Sequence, residues 1–438
     1  MLRWRWPNRL LGLLRLPEMA RDPLAFFTRL FEEQGAVASF DFALGRQWLI
    51  SDPKAIETVF NENHDNLAKD AATLTLKPLF GKGLLTTDGA AWRRMRRLNG
   101  SLFKAKHIRH FADQMVQAAT DEPLETGVVD VHPATNRITR RVILEAMFGT
   151  AEGGASDIAD AVEAYIHAQE REFLSLRRFY PSFLSTPARR QAVESRRVLA
   201  ECLRPMIEAR RGLPEDDQMD MLARLVAARD ADGRALTFRE LQDNVATLYL
   251  GATETAANTL SFAIGLLARR PEIQELLAEE RANVLGGRPA TVDDVKALKR
   301  HAAVLDEAMR LYPPFWALGR RVLRSFEVGG RRIEAGDQLN ASAWVVHRDA
   351  RWFDRPLEFR PERFWTDDPR PRPRLAFFPF GAGPRTCIGS HFARMEMVLV
   401  LTTWLARRRV RAVPGRPLRH GVRLTLQPTH GAWVEVSA

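Results

Sequence analysis

Apolar residues recur at helical spacing from Thr237 to about position 269. Thr237-Phe238-Arg239-Glu240 reads as a capping box that opens this helix, and Pro271 suits the first turn of the next. The run is about 32 residues, or roughly 48 Å, enough to cross a whole domain. Near its middle lies Gly251-Ala252-Thr253-Glu254-Thr255. Glycine and threonine are poor choices for a helix interior, so a kink is expected there. A helix this apolar is buried, so the carboxylate of Glu254 needs a partner or a task.

Three further helices follow from the pattern. One spans roughly 389–407, directly after Cys387. One ends at Pro313-Pro314 and carries Glu307 and Arg310, three apart on one face. One carries Trp92 with Arg93, Arg94, Arg96 and Arg97. Residues 322–328 and 331–333, joined by Gly329-Gly330, read as a β-hairpin. Residues 422–426 and 432–436 read as strands flanking a turn at 427–431. Helices dominate, so the expected fold class is mainly α with a smaller β-rich part.

The chain has 438 residues, 45% of them hydrophobic, enough for a sizeable core. No linker, repeat or low-complexity tract divides it, so one domain over 1–438 is expected, with 1–20 a loosely ordered extension. The two cysteines, Cys202 and Cys387, suggest no disulfide framework and fit a reducing, cytoplasmic compartment. The apolar stretch at 10–16 is far short of the ~20 residues a membrane span requires. The net charge of +11 raises the question of nucleic acid. The arginines are dispersed, however, and no nucleic-acid module is visible. Two clusters, Arg93 to Arg97 and Arg407 to Arg411, read either as solvated faces or as a docking surface for an acidic electron-transfer partner.

The candidate chemistry centres on Phe380-Gly381-Ala382-Gly383-Pro384-Arg385-Thr386-Cys387-Ile388-Gly389. Gly381 and Gly383 open backbone angles closed to other residues. Arg385 is a planar cation suited to a carboxylate. A helix starting at Gly389 places amides and dipole where they favour a thiolate. A lone cysteine is more often a small buried hydrophobe, and a Gly-Pro stretch often only a turn.

This loop resembles the haem-thiolate loop of the cytochrome P-450 family, in its soluble bacterial type. The resemblance runs from Asp52-Pro53 to the C-terminal hairpin. It implies a haem b held between a long distal helix and the proximal cysteine loop and helix, with Cys387 as axial iron ligand. Phe380 would pack beside the sulfur, and Gly389 would leave room at the porphyrin. Trp92, Arg96, Arg320 and Arg385 would hold the propionates, with Arg321 a substitute for Arg320. Glu307, Arg310 and Arg363 match the family's buried ion triad, which would lock the segment leading into the cysteine loop. Thr255 matches the threonine that hydrogen-bonds the bound dioxygen, and Glu254 the adjacent acid that relays protons. Ala252 stands where the family usually has glycine, which puts the width of the kink in doubt.

The implied reaction is monooxygenation of a hydrophobic small molecule, in the style of secondary metabolism, by a monomer. Dioxygen is the co-substrate. A separate ferredoxin and its reductase, or a flavodoxin-type donor, would supply electrons. A peroxide-driven peroxygenase often lacks the distal threonine and acid, so Thr255 and Glu254 count against it. A haem sensor without turnover would need a signalling module, and none is visible. Aromatic residues at 165, 173, 179, 180 and 183 read as a lid over the substrate or as ordinary core.

Overall fold

The computed structural model describes residues 16–42, 45–173, 185–214, 219–365 and 372–438. The longer elements in chain order begin with α1 (Pro23–Gln34), β1 (Val37–Phe42), β2 (Gly45–Ile50) and β3 (Leu67–Lys69). Next come α2 (Gly89–Gly100), α3 (Ala112–Asp121), β4 (Gly127–Asp130), α4 (Val131–Phe148), α5 (Gly154–Phe173) and α6 (Pro187–Glu208). The second half holds α7 (Phe238–Leu267), α8 (Pro271–Leu285), α9 (Lys299–Leu311) and β5 (Leu318–Val322). Then follow β6 (Phe326–Val328), β7 (Arg331–Ile333), β8 (Gln338–Ala341), α10 (Ser390–Trp404), β9 (Arg409–Ala412), β10 (Arg419–Val422), β11 (Leu426–Thr429) and β12 (Trp433–Ser437).

α7 is the axis of the helical part. Its capping box is formed on both sides, with the Thr237 hydroxyl accepting from Glu240 N and the Glu240 carboxylate accepting from Thr237 N. Residues on all its faces are buried, because α4, α6, α9 and α10 pack around it. The helix is continuous through Gly251, so the expected kink does not break it. Thr253 and Thr255 each donate to the carbonyl four residues back, which satisfies their hydroxyls inside the helix.

A five-stranded sheet, ordered β1-β2-β8-β5-β3, forms the main β-rich part. Two strand expectations shift. Val322 belongs to this sheet, and the hairpin begins only at Phe326. The break falls at Leu323 and Arg324, whose backbone is held by Asn66. Gly329 and Gly330 have φ of 54° and 70°, the left-handed pair that a two-residue hairpin turn requires.

At the C-terminus the turn lies at 423–425, not at 427–431, since β10 pairs with β11 and Val422 faces Leu426. His430 and Gly431, with φ of 63° and 85°, then swing the chain away. β12 therefore joins β4 and β9 in a separate sheet. The corrected register places Thr425 against the middle of α7.

Candidate active site

Glu307, Arg310 and Arg363 come together in one buried ion network. Glu307 and Arg310 side chains are both 0% exposed. Arg310 Nε and Nη2 grip the two Glu307 oxygens at 2.8 Å each. Arg363 Nε reaches Glu307 Oε1 at 3.2 Å, and Arg360 N adds a bond at 2.9 Å. Arg310 also donates to the carbonyls of His347, Pro356 and Glu358. Such saturation offsets the cost of burying the charges. The His347 ring in turn accepts from Phe378 N at 3.0 Å, and Phe378 O accepts from Gly381 N at 2.9 Å. The triad is thereby wired to the cysteine loop.

Within that loop, Gly381 and Gly383 have φ of 84° and 72°. A Cβ on Gly383 would fall 2.0 Å from the Phe60 carbonyl oxygen, so glycine is required there twice over. Cys387 N donates to Phe380 O at 2.8 Å, which closes the loop. The Phe380 ring lies under the guanidinium of Arg394, whose forked bonds to Asp306 tie α10 to α9. Gly389 starts α10, and the side chain it makes room for is Phe103.

Cys387 is exposed by accessible surface yet closely surrounded by protein. Burial pushes its pKa up, while the Gly389 N–H and the Arg96 charge pull it down. Those two groups are the ones that would steady a thiolate. Cys202, by contrast, sits between α5 and α6 near Gly154, with burial and acidic neighbours raising its pKa.

A cleft of about 370 Å³ is lined by Trp92, Arg320, Arg385 and Asp88 among others. Arg385 donates to Asp88 Oδ1 at 2.6 Å and stacks 4.4 Å over the Trp92 ring. The strand alternation of β5 settles which of the two adjacent arginines points in, for Arg320 is buried and Arg321 is exposed. Burial, together with Arg385, pushes Arg320 down to about 10. Sequence reasoning missed Lys69. It pairs across strands with Arg320, is 7% exposed, and has its pKa driven well down by burial, Arg320 and Arg385. The signal was a cross-strand register, which no local pattern carries.

Lys69, Arg320 and Arg385 thus crowd together, balanced in part by Asp70 and Asp88. Neither the Trp92 indole nor the Arg96 guanidinium donates to the protein among the described residues. Such a gathering of cations and open donors, with Arg96 also acting on the Cys387 charge, fits a cofactor that carries carboxylates.

On α7, Glu254 Oε2 accepts from the Thr425 hydroxyl at 2.9 Å, and Thr255 bonds Gly251 O. The two neighbours do not bond each other. Burial and nearby Glu170 push the Glu254 carboxyl up. Gly251 has open space beside it.

The sequence profile described as Cytochrome P450 matches residues 5–429. The chain belongs to the cytochrome P450 family. Among curated relatives, this P450 is 30% identical over 414 residues to cyclooctatin synthase of Streptomyces melanosporofaciens, covering 93% of this chain and 90% of the relative. It is 32% identical over 352 residues to pentalenene oxygenase of Streptomyces avermitilis, covering 78% and 77%. Among solved structures, retinoic acid-bound cyanobacterial CYP120A1 superposes with a TM-score of 0.84 at 24% identity, over 96% of each chain, which supports the P450 fold. The chain is therefore a haem-thiolate monooxygenase that uses dioxygen, external electrons and a hydrophobic substrate.

The remaining expectations divide. Of the first arginine cluster, Arg94 is spent on Asp230 and Glu240, and Arg93 on Asp65. Tyr165 is fully buried against Phe80, so it is core and not lid surface. The side chains of residues 173, 179, 180 and 183, and the first fifteen residues of the N-terminal extension, lie outside the described residues. No described helix is long and apolar enough to cross a membrane.

Proposed function

We propose that this P450 binds haem b through Cys387 and oxidises a polycyclic terpenoid, working as a monomer with electrons from a ferredoxin and its reductase. The observation that carries the cofactor reading is a single accessible thiol at the head of α10. Gly389 and Arg96 favour its thiolate, and the cleft lined by Trp92, Arg320 and Arg385 is built partly from the same loop, through Ala382, Pro384 and Arg385. Bound haem would supply the oxygen-activating chemistry, with a thiolate ligand favouring O–O cleavage. The protein's own work is to orient and to handle protons. Trp92, Arg96, Arg320 and Arg385 would fix the propionates, and the Glu307, Arg310 and Arg363 network would hold the cysteine loop rigid. Thr255 commits its proton to Gly251 O, leaving its oxygen as an acceptor one turn from the open space at Gly251. Glu254, raised by burial, holds a proton more readily than an ordinary glutamate and would release it toward Thr255.

The substrate class rests on two Streptomyces relatives, one named cyclooctatin synthase and one pentalenene oxygenase, pentalenene being a polycyclic terpene hydrocarbon. Optical titration of the haem-loaded protein tests it. Pentalenene should move the iron from low to high spin as it displaces water. A shift seen only with a fatty acid of similar carbon number would overturn the terpenoid assignment.

A further inference from the structure

α5 reaches the centre of α7 through the turn at 423–425. Glu170 on α5, 14% exposed at its side chain, has Oε1 3.4 Å from Leu424 N and Oε2 3.6 Å from Arg423 Nη1. His167 Nδ1 is 3.8 Å from that second oxygen. One residue on, Thr425 is 2% exposed. Its hydroxyl donates to Glu254 Oε2 at 2.9 Å, and its oxygen accepts from Asn258 Nδ2 at 3.1 Å. The three-residue turn therefore lies between two carboxylates, one on each helix.

We propose that Glu170 is a positioning residue for Glu254. It holds the 423–425 turn against α5 and sets a second carboxylate beside Glu254, so that the seating of α5 on the turn tunes how firmly the acid holds its proton. This rests on the reading of Glu254 as the proton donor. After burial, Glu170 is the largest influence raising its pKa. The Thr425 hydrogen bond and His167 oppose it, and Glu163 on α5 adds to it. Glu163 is already engaged by Arg140 and by the Tyr249 hydroxyl. The partners of Glu170 are solvent-facing, Arg423 being 54% and His167 60% exposed, so they screen it weakly. A like charge near a carboxyl raises its pKa, which keeps it protonated at higher pH.

The test is an infrared pH titration of the haem-loaded, full-length enzyme, following the carboxyl band that disappears in Glu254→Gln. Glu170→Gln keeps an acceptor for Leu424 N and removes the charge. Its Glu254 midpoint should fall by about one pH unit. Glu170→Ala should show that fall and faster hydrogen exchange at Leu424 and Thr425. Arg423→Ala, which unmasks Glu170, should move the midpoint up. A midpoint unchanged in Glu170→Gln, or a fall in Arg423→Ala, overturns the proposal. Normal coupling of electrons to product in Glu254→Gln would defeat the relay reading instead, and the midpoint shifts would still stand.

Discussion

The two faces of the site are built on opposite plans. On the cysteine side, charges are buried and saturated. Glu307 accepts from three residues, and Arg310 reaches four partners. Gly383 there combines a positive φ with a backbone contact that leaves no room for a Cβ. On the α7 side, the functional groups make few bonds. Thr255 holds one backbone carbonyl, and Glu254 holds one hydroxyl from a distant turn. A ligand that must stay in one place needs an over-determined frame. Groups that must pass protons need loose, polarisable contacts and a pKa near the working range.

Substitutions should separate the two plans. Glu307→Gln leaves Arg310 and Arg363 as uncompensated buried cations. Urea unfolding should show a loss of about 3–5 kcal/mol, and much of the purified protein should lack haem. A loss no larger than that of a surface ion pair would mean the network is not the frame described here.

Arg320→Ala should weaken haem retention by roughly tenfold to a hundredfold, the scale of a charge-assisted hydrogen bond, as measured by haem transfer to apomyoglobin. Arg321→Ala should leave retention unchanged, because that side chain points outward. Equal effects would contradict the orientation of β5.

Thr255→Ala is the mirror image of Glu307→Gln. Stability should move by less than about 0.5 kcal/mol, since alanine suits a helix better than threonine. Product formed per electron pair should fall on the order of tenfold, with peroxide released. Unchanged coupling would remove Thr255 from the proton path.

The smallest effect concerns Glu396, buried on α10 with Oε1 unpartnered among the described residues. Burial drives its pKa well up, so the folded chain keeps a proton there that the unfolded chain releases above about pH 4.3. Its contribution to stability is full below that pH and is lost as pH rises toward the folded pKa. Glu396→Gln should match wild type near pH 4.5 and melt higher at pH 8.5. A lower melting temperature at both would show an unnoticed partner.

What could be read from the sequence follows the same divide. The cysteine loop, the Glu307 and Arg310 pair and the α7 cap are local patterns, in which residue types at fixed spacing demand one geometry. Arg363 came only through family likeness, because its contact with Glu307 is long-range. Lys69 and Thr425 were not legible at all. Their roles depend on strand register, and the register at 423–425 was misread because Gln427 to Gly431 looked like the better turn. The positive φ values of His430 and Gly431 show that a bend does exist there, but it leads to a different sheet.

Every other assignment depends on Cys387 binding haem iron as thiolate. The carbon monoxide difference spectrum of the reduced protein tests it most directly. A Soret band at the thiolate position in wild type, lost in Cys387→Ser, is the expected result. A Cys387→Ser protein that binds haem with an unaltered spectrum would contradict it.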